Sequence, residues 1–359
     1  MSRKWLVLAG FELFFIVAVM SSSCSKDKGV IDTGSSGILN VKSVATSPDT
    51  ADIINDSLWD QADETSIRIG EDGDYTNHLG IGIVKTKAVA DTAYIYMRFD
   101  WRDSSMSVRP GYWTDEVGPE CPVWTQSSDS LCALPNALNP RWENEDVLGL
   151  LIDMGNNGVE KANCFTTCHS GTDTSDIGYQ HYTTGDGNID AWVWRAGRSN
   201  PLGLADDQCW GPKSQTRRED SYTAESCLKN SLYSEDPSEP KWMHRTGPTL
   251  DTLNFLFTTD TVMMDIMSNW QPRDGVPGYV LSTDWNTGNT SRYDVRARSS
   301  YDNQLKRWTI VMWRRLTTPY TAEDVNFKDG RKEFQATLAI MDHAFERHSG
   351  SKPFIIKFE

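Results

Sequence analysis

Two cysteines and a histidine stand within six residues at Cys164-Phe165-Thr166-Thr167-Cys168-His169. A thiol can add to a haem vinyl group, and an imidazole directly after the second cysteine is placed to ligate the iron of a porphyrin so attached. The common attachment motif has two residues between its cysteines; here there are three, an extra residue that a looser turn absorbs. Cys164, Cys168 and His169 therefore read as a variant haem c site, with one covalent haem. Two other chemistries use the same residues. Cys164 and Cys168 can close a small disulfide, or form half of a zinc site. Zinc needs two more ligands, and no second close Cys/His pair stands elsewhere in the chain.

An electron-transfer haem takes a sixth ligand, usually Met or His. Met243 is favoured, with His343 next and His244 third; a methionine would raise the potential relative to histidine. Each has an ordinary reading beside the functional one. Met243 can fill a gap under a loop, and His343 and His348 can be surface residues. Trp192 and Trp194, two apart on a strand, face one side and either pack on the porphyrin or fill the core, the commoner use of buried aromatics. Arg195 and Arg198 suit haem propionates, or a structural ion pair with Asp206 or Asp207. The stretch Asp186-Gly187-Asn188-Ile189-Asp190 offers alternating oxygens but lacks the glycine and distal glutamate of a calcium loop, so it reads as a turn. No Ser-His-Asp order, phosphate loop or paired-acid signature stands out. The chain reads as an electron carrier rather than a catalyst.

The chain around these residues places them outside the cytoplasm. Arg3 and Lys4 precede an apolar run at residues 5–20, broken by Glu12, and then Ser21-Ser22-Ser23-Cys24. That is the layout of a bacterial lipoprotein signal over residues 1–23, with Cys24 as the lipid-modified first mature residue. The apolar run is short and carries a charge, which disfavours a spanning helix. Residues 24–37 read as a flexible tether and residues 38–359 as one haem-binding domain. Setting Cys24 aside leaves six cysteines. In an oxidising compartment, Cys121 with Cys132, and Cys209 with Cys227, are loop-closing candidates by proximity. Haem c attachment is itself extracytoplasmic, so the protein is expected in the periplasm or at the outer membrane. The formal net charge of −15 argues against nucleic acid and anionic membrane surfaces and favours basic partners.

Period-two alternation marks the elements that must carry the motif. Strands are expected at residues 38–45, 66–69, 81–88, 92–101, 146–154, 190–195, 252–257, 279–282, 308–314, 334–341 and 354–358. Residues 102–144 and 200–248 read as long irregular insertions. Many short strands with turn-rich spacers predict an all-β chain, an antiparallel β-sandwich.

Several segments, in order, resemble the haem-binding domain shared by the gamma subunits of ethylbenzene dehydrogenase and related molybdenum enzymes and by cytochrome c-552-type proteins. Leu58-Trp59-Asp60-Gln61-Ala62 resembles its opening. Residues 93–103, ending Trp101-Arg102-Asp103, are similar to its "Tyr, apolar, Arg, Trp, x, Asp" strand. The run from Asp190-Ala191-Trp192-Val193-Trp194-Arg195 to Asp206-Asp207-Gln208 resembles the segment that follows the cysteine motif in the covalent-haem branch. Residues 308–316 and Ala339-Ile340-Met341-Asp342, with residues 352–358, resemble the domain's last strands. The resemblance implies a β-sandwich holding one haem, with redox partners that are other cytochromes or a molybdenum enzyme. In the gamma subunits the haem is non-covalent, held by Met and Lys, so haem b is the alternative cofactor. A gamma-type subunit and a haem-free ligand-binding lipoprotein are the alternative functions.

Overall fold

A computed structural model describes residues 37–70, 82–110, 113–114, 145–155, 183, 187–211, 218–219, 227–230, 241–246, 254–263, 275–284, 291–342 and 348–359. These lie in one compact unit, Ser35–Glu359. The expected signal and tether, Cys24, Cys121, Cys132, the Cys164–His169 motif and His343 lie outside the described residues.

The strands in chain order are β1 (Ile38–Ser43), β2 (Thr65–Ile69), β3 (Gly82–Ala90), β4 (Tyr94–Arg102), β5 (Trp113–Thr114), β6 (Val147–Asp153) and β7 (Ile189–Arg195). They continue as β8 (Asp206–Trp210), β9 (Arg218–Glu219), β10 (Cys227–Lys229), β11 (Trp242–His244), β12 (Leu256–Phe257), β13 (Thr261–Met263) and β14 (Gly275–Val276). The last are β15 (Tyr279–Leu281), β16 (Arg296–Asp302), β17 (Arg307–Arg315), β18 (Glu333–Met341), β19 (His348–Gly350) and β20 (Phe354–Phe358). The described helical segments are short 3-10 turns, such as Ser57–Asp60.

One sheet runs β16-β17-β4-β3-β1-β20-β18-β6-β7-β8-β9, with β2 on β3 and β19 on β18. Its pairs are antiparallel except at β1, which lies parallel to both β20 and β3. Laid flat, the seven steps from β17 to β7 would span about 34 Å. Yet the Trp308 ring of β17 stands 5.1 Å from that of Trp194 in β7. The sheet therefore folds over on itself, and its two halves face each other across one core, as in a sandwich. The even positions Trp308, Ile310 and Met312 of β17 meet Leu148, Leu150 and Ile152 of β6, and Trp192 and Trp194 of β7, in that core. The fold is also tied at its open side. Ala205 N donates to Val295 O and Ala297 N to Gly203 O, so the β7–β8 connection caps edge strand β16.

The outer faces are covered too. Val89, Tyr96, Val311 and Trp313 are roofed by residues of the 44–62 segment, including Ile53 and Trp59. The outward positions Leu151, Ile189 and Ala191 lie under Trp210. Strands β6 and β7 are consequently buried along both faces, which explains the continuous apolar run in β6.

The expected strands are present, though residues 252–257 shrink to the short β12. Four strands of the main sheet were not expected: β8, β9, β16 and β19. β8 lies inside the stretch read as irregular insertion, its polar Asp-Asp-Gln sequence masking a buried strand. β16 is a polar edge strand with no clear alternation. Also in the insertion, β9 pairs with β8 in the main sheet, while β10 and β11 join the small sheets β10-β15-β12 and β11-β13.

Candidate functional site

The chain leaves the sheet at the end of β6 and re-enters it at β7, and the residues between carry Cys164, Cys168 and His169. Both roots of this segment are pinned. Met154 N donates to Asn188 O (3.2 Å), joining the outgoing root to the returning one. Thr183 N donates to Gly211 O (2.8 Å), its hydroxyl to Gly187 O (2.8 Å), and Asn188 Nδ2 to Ala322 O (2.8 Å). Gly155 takes φ +115°, and a Cβ there would stand 2.8 Å from Arg331 Nη1, so glycine is required at the exit. A motif hung between such feet has fixed points of departure.

Beneath the roots the two halves of the sandwich are joined by charge. Arg314 occupies the next even position of β17 after Trp308, Ile310 and Met312, so its side chain enters the core and is fully buried. Its Nη2 lies 2.7 Å from Asp190 Oδ2 and its Nη1 3.1 Å from Asp207 Oδ2. Nη2 also donates to Val325 O (3.0 Å), and the guanidinium lies 5.0 Å from the Trp192 ring centre. Val325 N in turn donates to Asp190 Oδ2 (2.8 Å). Despite burial, the surrounding aspartates hold the guanidinium's pKa well above its ordinary value. The tie was not anticipated from the sequence. Its signal was an arginine at a core-facing parity of a strand, which demands buried acids.

Arg195 and Arg198 stand at the other end of β7. Arg195 is six residues from Ile189 in the β6–β7 register, about 20 Å along the strand. Their partner is Glu145, rather than the Asp206 or Asp207 expected from sequence proximity. Arg198 Nε lies 2.6 Å and Arg195 Nη1 3.9 Å from Glu145 Oε1, and Gly197 N donates to Oε2 (2.9 Å). Asp206 is held by Arg292 (2.9 Å) and Asp207 by Arg314. β8 pairs with residues 189–193 of β7, Asp207 opposite Trp192 and Asp206 opposite Val193, so its aspartates fall short of Arg195.

Trp192 and Trp194 are wholly buried core residues. Trp194 packs edge-on to Trp101 and Trp308 and donates its Nε1 to Asn200 Oδ1 (3.1 Å). Trp192 packs edge-on to Phe327. Met243 is buried in β11, opposite Val262 of β13. Asn230 binds this pair to the neighbouring small sheet. Its Oδ1 accepts from Lys241 N and Trp242 N, and its Nδ2 donates to Pro277 O. Tyr279 of that sheet lies under the Arg198 guanidinium (5.1 Å), which places Met243's support at the Glu145 end. His244 Nδ1 is within 2.7 Å of Thr246 Oγ1. His348 is buried opposite Met341, against the expectation of a surface residue, because β19 tucks it onto β18. Cys209 is buried in β8, its Sγ 3.9 Å from Ala322 O, and Cys227 is half-buried in β10 of a different sheet.

A polar cleft of about 430 Å³ opens on the outer face, lined among others by Asp56, Asp60, Lys85, Lys87, Arg98 and Arg307. Trp59 borders it, but only 3% of the residue is exposed and its Nε1 donates to Ile53 O. Trp101, Trp210, Trp308 and Trp313 are buried as well.

These features define an all-β protein, a folded-over sheet that holds a cysteine–histidine segment between two pinned central strands. The chain belongs to the ethylbenzene dehydrogenase family, whose model matches residues 56–353. No curated protein matches it. Among solved structures, a protein from Bacteroides uniformis ATCC 8492 described as carbohydrate-binding aligns at 10% identity, covering 90% of this chain and 99% of that one, with a TM-score of 0.36. A family 9 carbohydrate-binding module from Caldicellulosiruptor kristjanssonii in complex with glucose aligns at 8% identity, covering 90% and 95%, with a TM-score of 0.32. Likenesses this distant carry no argument about what the chain binds.

Proposed function

We propose that the protein is an exported, lipid-anchored monohaem c-type cytochrome that passes single electrons between partners in the bacterial cell envelope. The observation that carries this reading is the Cys164–His169 motif, inserted between β6 and β7 of an ethylbenzene dehydrogenase family domain. The donor set fits haem c: two thiols for the vinyl groups and an imidazole for the iron. Cys164 and Cys168 would hold the porphyrin covalently and His169 would ligate it, with Met243 or His343 as the sixth ligand. The haem supplies the one-electron chemistry when bound. The chain's own part is to fix the roots of the motif, exclude water with a rigid sandwich and present a docking face. Cys24 would anchor the chain by lipid, and the acidic surface would favour a basic redox partner.

Family membership also favours a second reading, a haem-binding subunit docked to a molybdenum enzyme. Co-purification with a large catalytic subunit from the native envelope separates the two. A haem-free module using a tryptophan-rich surface has less support, since Trp59, Trp101, Trp192, Trp194, Trp210, Trp308 and Trp313 are buried and Trp242 is half-buried. The deciding experiment is optical. The mature chain, made in a host able to attach haem c, should keep its Soret band through acid–acetone extraction and give a pyridine haemochrome with two thioether bonds. Cys168→Ala should make the spectrum that of a single-thioether or extractable haem. Colourless wild-type protein from such a host removes the cytochrome reading.

A further inference from the structure

The polar cleft on the outer face lies on the half of the sandwich that does not carry the cysteine–histidine segment. Its floor is a block of charge on β3, β4 and β17. Lys87 stands opposite Arg98, and Lys85 opposite Asp100, which has Thr309 on its other side. Its wall is the 54–64 segment, and the floor holds that wall in place. Arg98 Nη1 donates to Ile54 O and Lys87 Nζ to Trp59 O, each at 2.8 Å. Two of the lining acids are matched by cations. Arg98 grips Asp100 through Nε and Nη2 (2.8 and 3.1 Å), and Lys85 pairs with Glu64 (2.7 Å).

Arg307 is not matched in this way. It lines the cleft from β17, and its Nε is buried without a hydrogen-bond partner. Its neighbour across the sheet on β4 is another arginine, Arg102, and like charges directly opposite destabilise a sheet. Asp302 stands opposite on β16 and attracts Arg307, but its Oδ1 is engaged by Gln304 N and Leu305 N. Among the described residues neither arginine has an ion pair. A buried N–H without an acceptor is costly, and the planar fork of arginine matches a carboxylate. At the wall, Asp60 and Ser57 line the cleft with side chains that no described residue binds, so acceptors for hydroxyl groups face the same space. Trp59 offers no ring face for stacking, being 3% exposed, so a neutral sugar finds little grip. A dicarboxylate would be repelled by Asp56 and Asp60. We infer that the cleft binds a polyhydroxylated carboxylate, a sugar acid, with its carboxylate on Arg307 and its hydroxyl groups on Asp60 and Ser57. A volume of about 430 Å³ is in the range of small-molecule sites. The inference rests on the outer face of β3, β4 and β17 and stands whether or not haem is attached.

The test uses the full mature chain at pH 7.5 and low salt. Calorimetry with sodium glucuronate, galacturonate and gluconate should find one saturable site for at least one of the three. Glucose, which lacks the carboxylate, and succinate, which lacks the hydroxyl groups, should each bind about tenfold or more weakly. Arg307→Gln and Arg307→Lys should both keep Tm within about 2 °C of the wild type, because the arginine has no ion pair to lose. Both should weaken sugar-acid binding about tenfold or more, the lysine because a point charge does not reproduce the fork. Asp60→Ala should weaken the sugar acid and leave succinate unaffected. The inference is overturned if none of the three acids gives heat, if glucose or succinate binds as tightly as the best of them, or if Arg307→Gln binds like the wild type.

Discussion

Replacing Arg314 by methionine tests the tie between the two halves of the sandwich. The guanidinium is wholly buried, with contacts to Asp190, Asp207 and Asp324 at 2.7, 3.1 and 3.5 Å and a donation to Val325 O at 3.0 Å. Methionine restores much of the volume over Trp192 but leaves the carboxylates without a counter-charge. Removing one partner of a buried pair costs about 3–5 kcal/mol. For a domain of this size that is a Tm loss of roughly 4–7 °C. The measurement is thermal unfolding at pH 7.5. Asp190→Asn keeps an acceptor for Val325 N and removes one of the stranded charges. Added to Arg314→Met it should recover part of the stability, a coupling of about 1–3 kcal/mol. A Tm loss under 2 °C, or strict additivity of the two changes, would show that Arg314 does not hold the halves together.

Two further outcomes follow from the opposite end of the sandwich. In Gly197→Ala the new Cβ would overlap Pro110 Cδ and stand 2.7 Å from Val108 O, so the chain carrying Arg198 must shift off Glu145. Denaturant unfolding should show a loss of about 1–3 kcal/mol, and an unchanged midpoint would contradict the close approach. Burial, with a contribution from Asp342, holds the Asp103 carboxyl up at about 6. Between the unfolded value near 3.8 and about 6, the folded protein binds the extra proton. This group's contribution is therefore complete below about pH 4 and is lost as pH rises through about 6. Asp103→Asn should flatten that part of the stability–pH curve, and an unaltered slope would count against the burial of this carboxyl beside Asp146 and Asp342.

Local pattern and long-range placement divide the information in this chain. Alternation in residues such as Tyr94–Arg102 and Arg307–Arg315 marked the strands, because side chains alternate about a pleat whatever the neighbour. The haem proposal rests on the local spacing Cys-x-x-x-Cys-His, because covalent attachment needs those groups close in the chain. The family was legible in ordered segments from Leu58 to Phe358. Strand order was not: nothing local says that β1 inserts in parallel between β3 and β20, or that β7 comes to face β17. The ionic partners were equally hidden. Arg195 and Arg198 stood near Asp206 and Asp207 in sequence, yet strand register gave them Glu145 and gave Asp207 to Arg314. An ion pair depends on distance in space, and only the folding over of the sheet set those distances.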